Sequence, residues 1–130
     1  IPVICVGETL EERRAGRVDE VILRQLAAAV QALKGGEGRF LVAYEPVWAI
    51  GTGETATPED AAAAHATLRA ELESTIGIAA ALRTPLLYGG SVNAANAADL
   101  LAAAEVDGVL VGGASLDAMS FTGIAAAGAG

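Results

Sequence analysis

The chain has 130 residues, of which 53% are hydrophobic, and a formal net charge of −8 at pH 7. This length and composition are typical of one globular domain, and the acidic charge argues against a nucleic-acid partner, which requires clustered lysine and arginine. No apolar run is long enough to cross a bilayer and the N-terminus lacks a secretory signal pattern, so no membrane partner is expected.

Apolar, strand-like runs alternate four times with helical stretches. In chain order the pattern predicts a strand at 2–6, a helix at 10–33, a strand at 40–45, a helix at 57–75, a strand at 85–88, a helix at 93–103, a strand at 108–111 and a helix from about 116. Gly16 interrupts the first helix, and the glycines of Lys34-Gly35-Gly36-Glu37-Gly38 are expected to end it. Strands that are apolar throughout indicate a parallel sheet covered by helices, and therefore an α/β fold.

Helix starts are marked by capping residues. Thr57-Pro58-Glu59-Asp60 combines a hydroxyl cap, a proline at the first helical position and acids in the first turn. Asn93 is expected to cap the third helix in the same way.

The most informative stretch covers residues 43–53, where the second strand ends on Glu45. Pro46 keeps Glu45 in extended geometry. A tryptophan, two apolar residues and two glycines follow, a composition suited to a hinged apolar flap. An acid beneath such a flap suggests proton transfer in a dry pocket, whereas the simpler interpretation is a strand-end glutamate before an ordinary glycine-rich loop.

Four segments together resemble the triosephosphate isomerase family, in its order and near its spacings. They are Val3-Ile4-Cys5-Val6-Gly7-Glu8-Thr9-Leu10-Glu11-Glu12, the run at 43–53, Tyr88-Gly89-Gly90-Ser91-Val92 and the run at 108–116. The family's TIM (β/α)8 barrel has eight β/α units and typically about 250 residues. The resemblance therefore implies that residues 1–130 are the C-terminal half of a single barrel domain, strands five to eight, with the N-terminal half absent.

The resemblance also implies an activity, in which the complete protein interconverts dihydroxyacetone phosphate and D-glyceraldehyde 3-phosphate through an enediol. Glu45 would be the general base, with no cofactor and no metal. A cytoplasmic homodimer is expected, and the single cysteine suits a reducing compartment. Two other functions remain open: a non-catalytic phosphate-binding half-barrel, and another phosphosugar enzyme on the same barrel.

The family pattern assigns roles around the base. Backbone N–H groups would bind the substrate phosphate at Gly51, Ser91, Gly112 and Gly113. The flap, called the lid below, would use Pro46, Val47, Trp48, Ile50 and Gly53. Its first hinge is Val47-Trp48 and its second hinge is Glu54-Thr55-Ala56. Tyr88 and Ser91 would latch the lid through the backbone near Ala56 and Gly53. The simpler alternatives are a plain Gly-Gly turn, a surface-packed Trp48 and a Tyr88 bonded elsewhere.

Other polar residues are expected to be structural. Glu8 also ends a strand, but the resemblance makes it a structural acid. Cys5 is expected to be a small buried residue, and His65 a surface or core histidine. Arg13, Arg14 and Arg17, diluted by acids, predict a solvated helix face. The family's lysine, asparagine and histidine have no counterpart here, so the chain alone is expected to be inactive. Glu54 stands at a hinge position where the family commonly has lysine.

Overall fold

The computed structural model describes residues 1–33 and 38–129. Four parallel strands form one sheet in sequence order: β1 (Val3–Val6), β2 (Leu41–Tyr44), β3 (Leu86–Tyr88) and β4 (Gly108–Val109). The helices are α1 (Leu10–Arg14), α2 (Val18–Ala32), α3 (Pro58–Ile76), α4 (Ile78–Leu82), α5 (Ala97–Ala102) and α6 (Ala118–Gly128), with 3₁₀ turns at Val47–Ala49 and Gly113–Leu116. The predicted α/β class is confirmed.

Most predicted boundaries agree with the structure to within two residues. The first helix divides into α1 and α2 around Gly16, whose φ of +70° is incompatible with a continuous helix. Thr57 caps α3, and its side chain accepts from the Asp60 N–H in a capping box. The helix end predicted at Lys34-Gly35-Gly36-Glu37 lies outside the described residues.

Two local predictions are wrong. Asn93 does not cap the third helix, because its side-chain oxygen accepts from the N–H groups of Ala95 and Asn96 in a preceding turn, and α5 begins after Asn96. The short helix α4 was not expected. It forms because Gly77, at φ +88°, ends α3 and starts a new helical turn at once.

The two faces of the sheet differ, since successive strand residues point to opposite sides. One face carries Val6, Tyr44 and Tyr88, which pack with helix residues in the hydrophobic core. The opposite face, called the inner face below, carries the paired residues Cys5, Ala43 and Leu87. The expectation that Cys5 is buried is wrong, because no helix of the described chain packs over the exposed inner face of β1.

A charged cluster joins the helix layer to the amino-terminal ends of the strands. Arg69 of α3 is 6% exposed and forms ion pairs with Glu105 and Asp107 at 3.0 and 2.6 Å. It also donates to the backbone carbonyls of Ala81 and Thr84.

Among the described residues, no helix is long and apolar enough to cross a membrane.

His65, also on α3, is a core histidine, one of the two positions expected for it. Its side chain is fully buried, lies edge-on to Tyr44, and has Nδ1 2.9 Å from the Glu105 carbonyl oxygen. The carbonyl accepts, so Nδ1 carries the proton and Nε2 is left unprotonated. Nε2 is buried and has no hydrogen-bond partner within the described part of the chain. Burial lowers the pKa of His65 below its ordinary 6.5, against the opposing effect of Asp107 and Glu105 and with that of Arg69.

We expect this histidine to make the folded state sensitive to acid. As the pH decreases below 6.5, His65 binds more protons in the unfolded chain than in the folded chain. The free energy of unfolding therefore decreases as the pH decreases, by at most ~1.4 kcal/mol per pH unit. His65→Asn keeps a donor for the Glu105 carbonyl and removes the titration. Urea unfolding of the full-length protein between pH 7.5 and 5.5 should give a shallower decline for the variant. Equal slopes would contradict this account.

Candidate active site

Glu45 immediately follows β2 and lies two residues beyond Ala43, on the inner face of the sheet. Its N–H donates to the Val6 carbonyl at 2.7 Å, so its backbone continues the pairing with β1. A Cβ on Gly7 would overlap the Glu45 carbonyl, and a Cβ on Gly89 would overlap the Glu45 side chain. The two neighbouring strands therefore leave just enough room for this glutamate, because glycine faces it from both sides.

Cys5 is the neighbour of Glu45 on the inner face. Although Cys5 is exposed, partial desolvation of its thiol, with a further contribution from the Glu45 carboxylate, raises the pKa of Cys5 to about 11. The thiol therefore stays protonated at neutral pH and is not a nucleophile.

A cavity of about 460 Å³ opens at the carboxyl ends of β2, β3 and β4. It collects Glu45, the lid and both glycine-rich turns predicted to bind phosphate. Its lining is Glu45, Ile50, Gly51, Gly53, Gly89, Ser91, Val92, Asn93, Leu110, Val111, Gly112, Gly113 and Ala114. Among the described residues that line this cavity, Glu45 is the only ionisable one.

The lid leaves β2 at Pro46, which is buried, and rises to an exposed tip. Ile50 is 48% exposed, and Val47 in the first hinge is 50% exposed. Gly51 and Gly53 have φ of +67° and +80°, and these left-handed angles explain why glycine occupies both positions. The lid is thus an exposed apolar tip followed by two glycines in left-handed backbone conformations.

The second hinge is bonded to β3. The buried Tyr88 hydroxyl accepts from the Ala56 N–H at 2.8 Å and lies 2.9 Å from the Thr55 hydroxyl. Burial raises the pKa of Tyr88, so the phenol remains neutral. The hydrogen bond expected between Tyr88 and the backbone at Ala56 is therefore present.

Ser91 contacts a different part of the lid from the one expected. Its hydroxyl donates to the Ala49 carbonyl at 2.5 Å, beside the first hinge, and not to the backbone at Gly53. The reason is its backbone: Ser91 has φ +49°, and its own carbonyl is held by the Asn96 side chain, which turns the hydroxyl towards Ala49. A non-glycine residue in this conformation stores strain of about 1–3 kcal/mol, and such strain concentrates at functional sites.

Glu8 binds the first hinge through Trp48. This fully buried carboxylate accepts from the Tyr44 hydroxyl at 2.9 Å, from Trp48 Nε1 at 3.1 Å and from Arg13 at 3.1 Å. Burial and the Glu8 charge raise the pKa of Tyr44 far above its ordinary value, so its phenol stays a donor. The predicted structural role of Glu8 is confirmed. Trp48 is not only packed against its neighbours but also hydrogen-bonded to Glu8.

The expectation of a solvated arginine face holds for Arg17, which is exposed and paired with Glu20, but it is wrong for Arg13. Arg13 also pairs with Asp60 at 2.9 Å and lies over the Trp48 ring. Sequence reasoning missed this cluster. The available signal was the strand-end Glu8 itself, because a buried carboxylate requires a cation within reach.

The turn at Gly112 and Gly113 follows β4 and opens the 3₁₀ turn Gly113–Leu116. A Cβ at either glycine would meet no atom within 4 Å, so packing within the described chain does not explain their lack of side chains. Both glycines line the cavity, where backbone without side chains allows close approach by an anion.

The described residues offer no competing site of metal or acid–base chemistry. No group of three or more His, Cys, Asp and Glu side chains within residues 1–33 and 38–129 is placed to hold a metal ion. A larger cavity, about 630 Å³, opens at the opposite end of the strands. Its described lining includes Arg39 and Arg83 but no carboxylate or histidine, so these residues offer no acid–base pair.

Parallel β/α units with a cavity at the carboxyl ends of the strands are typical of the class of β/α-barrel proteins, whose functional sites lie at that end. The family profile described as triosephosphate isomerase matches residues 1–128. The chain belongs to the triosephosphate isomerase family.

Curated relatives agree with this assignment. The chain is 58% identical over 126 residues to the triosephosphate isomerase of Delftia acidovorans and 58% identical over 128 residues to that of Paracidovorax citrulli. It is 54% identical over 125 residues to that of Albidiferax ferrireducens. These matches cover 97%, 98% and 96% of the chain and 50% of each relative. The chain therefore spans about half the length of the curated relatives it matches.

The Tyr88 contact gives a direct test of the second hinge. Tyr88→Phe leaves the buried Ala56 N–H without its acceptor, which costs about 1–3 kcal/mol. In the full-length protein we expect hydrogen exchange at the second hinge to accelerate ~10-fold or more, from the same free-energy loss. Thr55→Val is the control, because it removes the hydroxyl pair and leaves the Ala56 bond intact. Unchanged exchange in Tyr88→Phe would show that this hydroxyl does not hold the hinge.

Proposed function

We propose that the complete protein is a triosephosphate isomerase and that Glu45 is its general base. The observation that carries the proposal is the 460 Å³ cavity, in which one carboxylate faces the lid and two glycine-rich turns. The substrates are dihydroxyacetone phosphate and D-glyceraldehyde 3-phosphate, and the reaction requires no cofactor.

In this isomerisation a single base transfers a proton between two neighbouring carbons. Glu45 removes a proton from the carbon next to the carbonyl, and the electron pair forms the carbon–carbon double bond of a cis-enediolate. The former carbonyl oxygen takes up a proton to give the cis-enediol, and the neighbouring hydroxyl gives up its proton as the new carbonyl forms. The same carboxyl group returns the proton to the neighbouring carbon, which completes the exchange of aldose and ketose. The close packing of Gly7 and Gly89 around Glu45 supports this role, because positional error of about 1 Å at the reacting atoms is costly.

Phosphate binding falls to backbone N–H groups at Gly51, Ser91, Gly112 and Gly113. The whole chain is acidic, so only local dipoles can attract a phosphate here. The open space above Gly112 and Gly113 supports this assignment. The lid would then cover the substrate with Ile50 and exclude water from the enediol, whose exposure leads to loss of phosphate.

The proposal extends to the rest of the protein. The chain supplies the base, lid and phosphate turns as the C-terminal half of one barrel. The other half would supply the lysine, asparagine and histidine that the family uses to polarise the carbonyl. Removal of such electrostatic help typically costs ~100- to 1,000-fold in rate. The family resemblance favours a homodimer, and the single cysteine suits the reducing environment of the cytoplasm. The net charge of −8 disfavours a nucleic-acid partner.

Shortening the base tests the proposal most directly. Glu45→Asp keeps the charge and withdraws the carboxylate by one methylene, so kcat of the full-length enzyme should fall ~100-fold with little change in KM. Glu59→Asp makes the same change at an exposed position of α3 and should leave both constants unaltered. Equal kcat in Glu45→Asp and the parent would remove Glu45 from the mechanism.

The half-barrel proposal predicts how the 130-residue chain behaves when it is expressed alone. The outer edges of β1 and β4 are unpaired in the described sheet, and exposed apolar strand edges promote association. We expect an inactive, self-associated product by size-exclusion chromatography and coupled isomerase assay. Co-expression with the other half of the full-length protein should restore solubility and activity together. An active monomer would contradict the proposal.

A further inference from the structure

Arg13 reaches both ends of the lid from outside the cavity. Its guanidinium lies 5.1 Å from the centre of the Trp48 ring and 2.9 Å from the Asp60 carboxylate. Trp48 belongs to the first hinge, and Asp60 lies in the first turn of α3, directly after the second hinge. The arginine itself is on α1, which the proposed mechanism does not use.

At the first hinge, Arg13 and Trp48 share an acceptor. Arg13 donates to Glu8 Oε1 at 3.1 Å, and Trp48 Nε1 donates to the same oxygen at 3.1 Å. The stacked guanidinium adds a cation–π contact, which is favourable within about 6 Å of a ring centre. The indole is therefore held both in its plane, by Glu8, and on its face, by Arg13.

At the second hinge, Asp60 connects the arginine to the backbone. Asp60 Oδ2 accepts from Arg13 and from the Thr57 N–H at 3.4 Å, and the Asp60 N–H donates to the Thr57 hydroxyl. Thr57 is the residue that follows the second hinge. The ion pair thus reaches the lid backbone through a capping box.

We infer that Arg13 is a positioning residue that sets the separation of the two lid hinges by binding Trp48, Glu8 and Asp60 at once. The inference rests on the proposed function, because it assigns this geometry to lid alignment over the substrate. Arginine suits the position, since its planar guanidinium can stack on an indole while its two terminal nitrogens bind separate carboxylates. Lysine offers one compact charge and cannot make all three contacts.

The test compares Arg13→Met, Arg13→Lys and Asp60→Asn in the full-length protein, with Arg14→Met as the control at an exposed position of the same helix. One readout is acrylamide quenching of Trp48 fluorescence, taken as the difference from the same protein carrying Trp48→Phe. The second is the fraction of turnovers that release phosphate and methylglyoxal, and the third is thermal stability.

We expect acrylamide to quench Trp48 fluorescence more strongly in Arg13→Met than in the parent. We also expect kcat/KM to fall ~5- to 10-fold, which is the typical effect of losing one charged hydrogen bond. Its phosphate loss should rise, because a misaligned lid admits water. Arg13→Lys should recover thermal stability by neutralising Glu8 but keep the altered quenching and phosphate loss. Asp60→Asn keeps the side-chain cap of α3 and should also raise phosphate loss. Adding Asp60→Asn to Arg13→Met should change the readouts little beyond Arg13→Met alone, because both changes remove the same ion pair.

Three results would overturn the inference: quenching in Arg13→Met equal to that in Arg14→Met, full recovery of every readout by lysine, or additive effects of the Arg13 and Asp60 changes. If Arg13→Met does not fold, the comparison of Asp60→Asn with Arg14→Met decides. If the parent protein has no isomerase activity, the proposed function fails, and Trp48 quenching alone decides the role of Arg13.

Discussion

The buried carboxylate of Glu8 is the interaction on which the arrangement of the site depends. It lies just after β1 and accepts hydrogen bonds from β2, the lid and α1, through Tyr44, Trp48 and Arg13. A fully buried charge is tolerated only when donors surround it, so these three side chains have little freedom to move apart. Because Tyr44 immediately precedes Glu45, the same bonds fix the strand end that presents the proposed base.

Features that depend on local sequence were predictable. The position of Glu45 follows from an apolar run that ends at a Glu-Pro pair, and the α3 start follows from Thr57 and Asp60, which interact over three residues. The composition of residues 46–53, with its two glycines, predicted the lid, and Gly51 and Gly53 adopt left-handed backbone angles in the structure. In each case the physical cause lies within a few residues of its effect.

Features that depend on tertiary contacts were not predictable from the residues alone, and the bond between Tyr88 and Ala56 was expected only from the family resemblance. Arg13 and Asp60 are 47 positions apart, and nothing in the local sequence of either one indicates that the fold brings their side chains into an ion pair. Ser91 turns towards Ala49 because of a left-handed backbone angle that serine seldom adopts. The exposure of Cys5 depends on what packs over the inner face of the sheet, and the sequence of the strand does not indicate what packs there.

The bonds at the two hinges have a consequence for the conformational entropy of the lid. Ser91 holds Ala49, and Tyr88 holds Thr55 and Ala56, so the segment whose backbone is left to reorganise is residues 50–54. Ordering one residue costs about 1–2 kcal/mol, and a short mobile segment limits that loss when a ligand is enclosed. A small ligand with few atoms has little binding energy to spend on ordering a loop. A lid that is already anchored at both ends therefore requires less binding energy to become ordered over a small ligand.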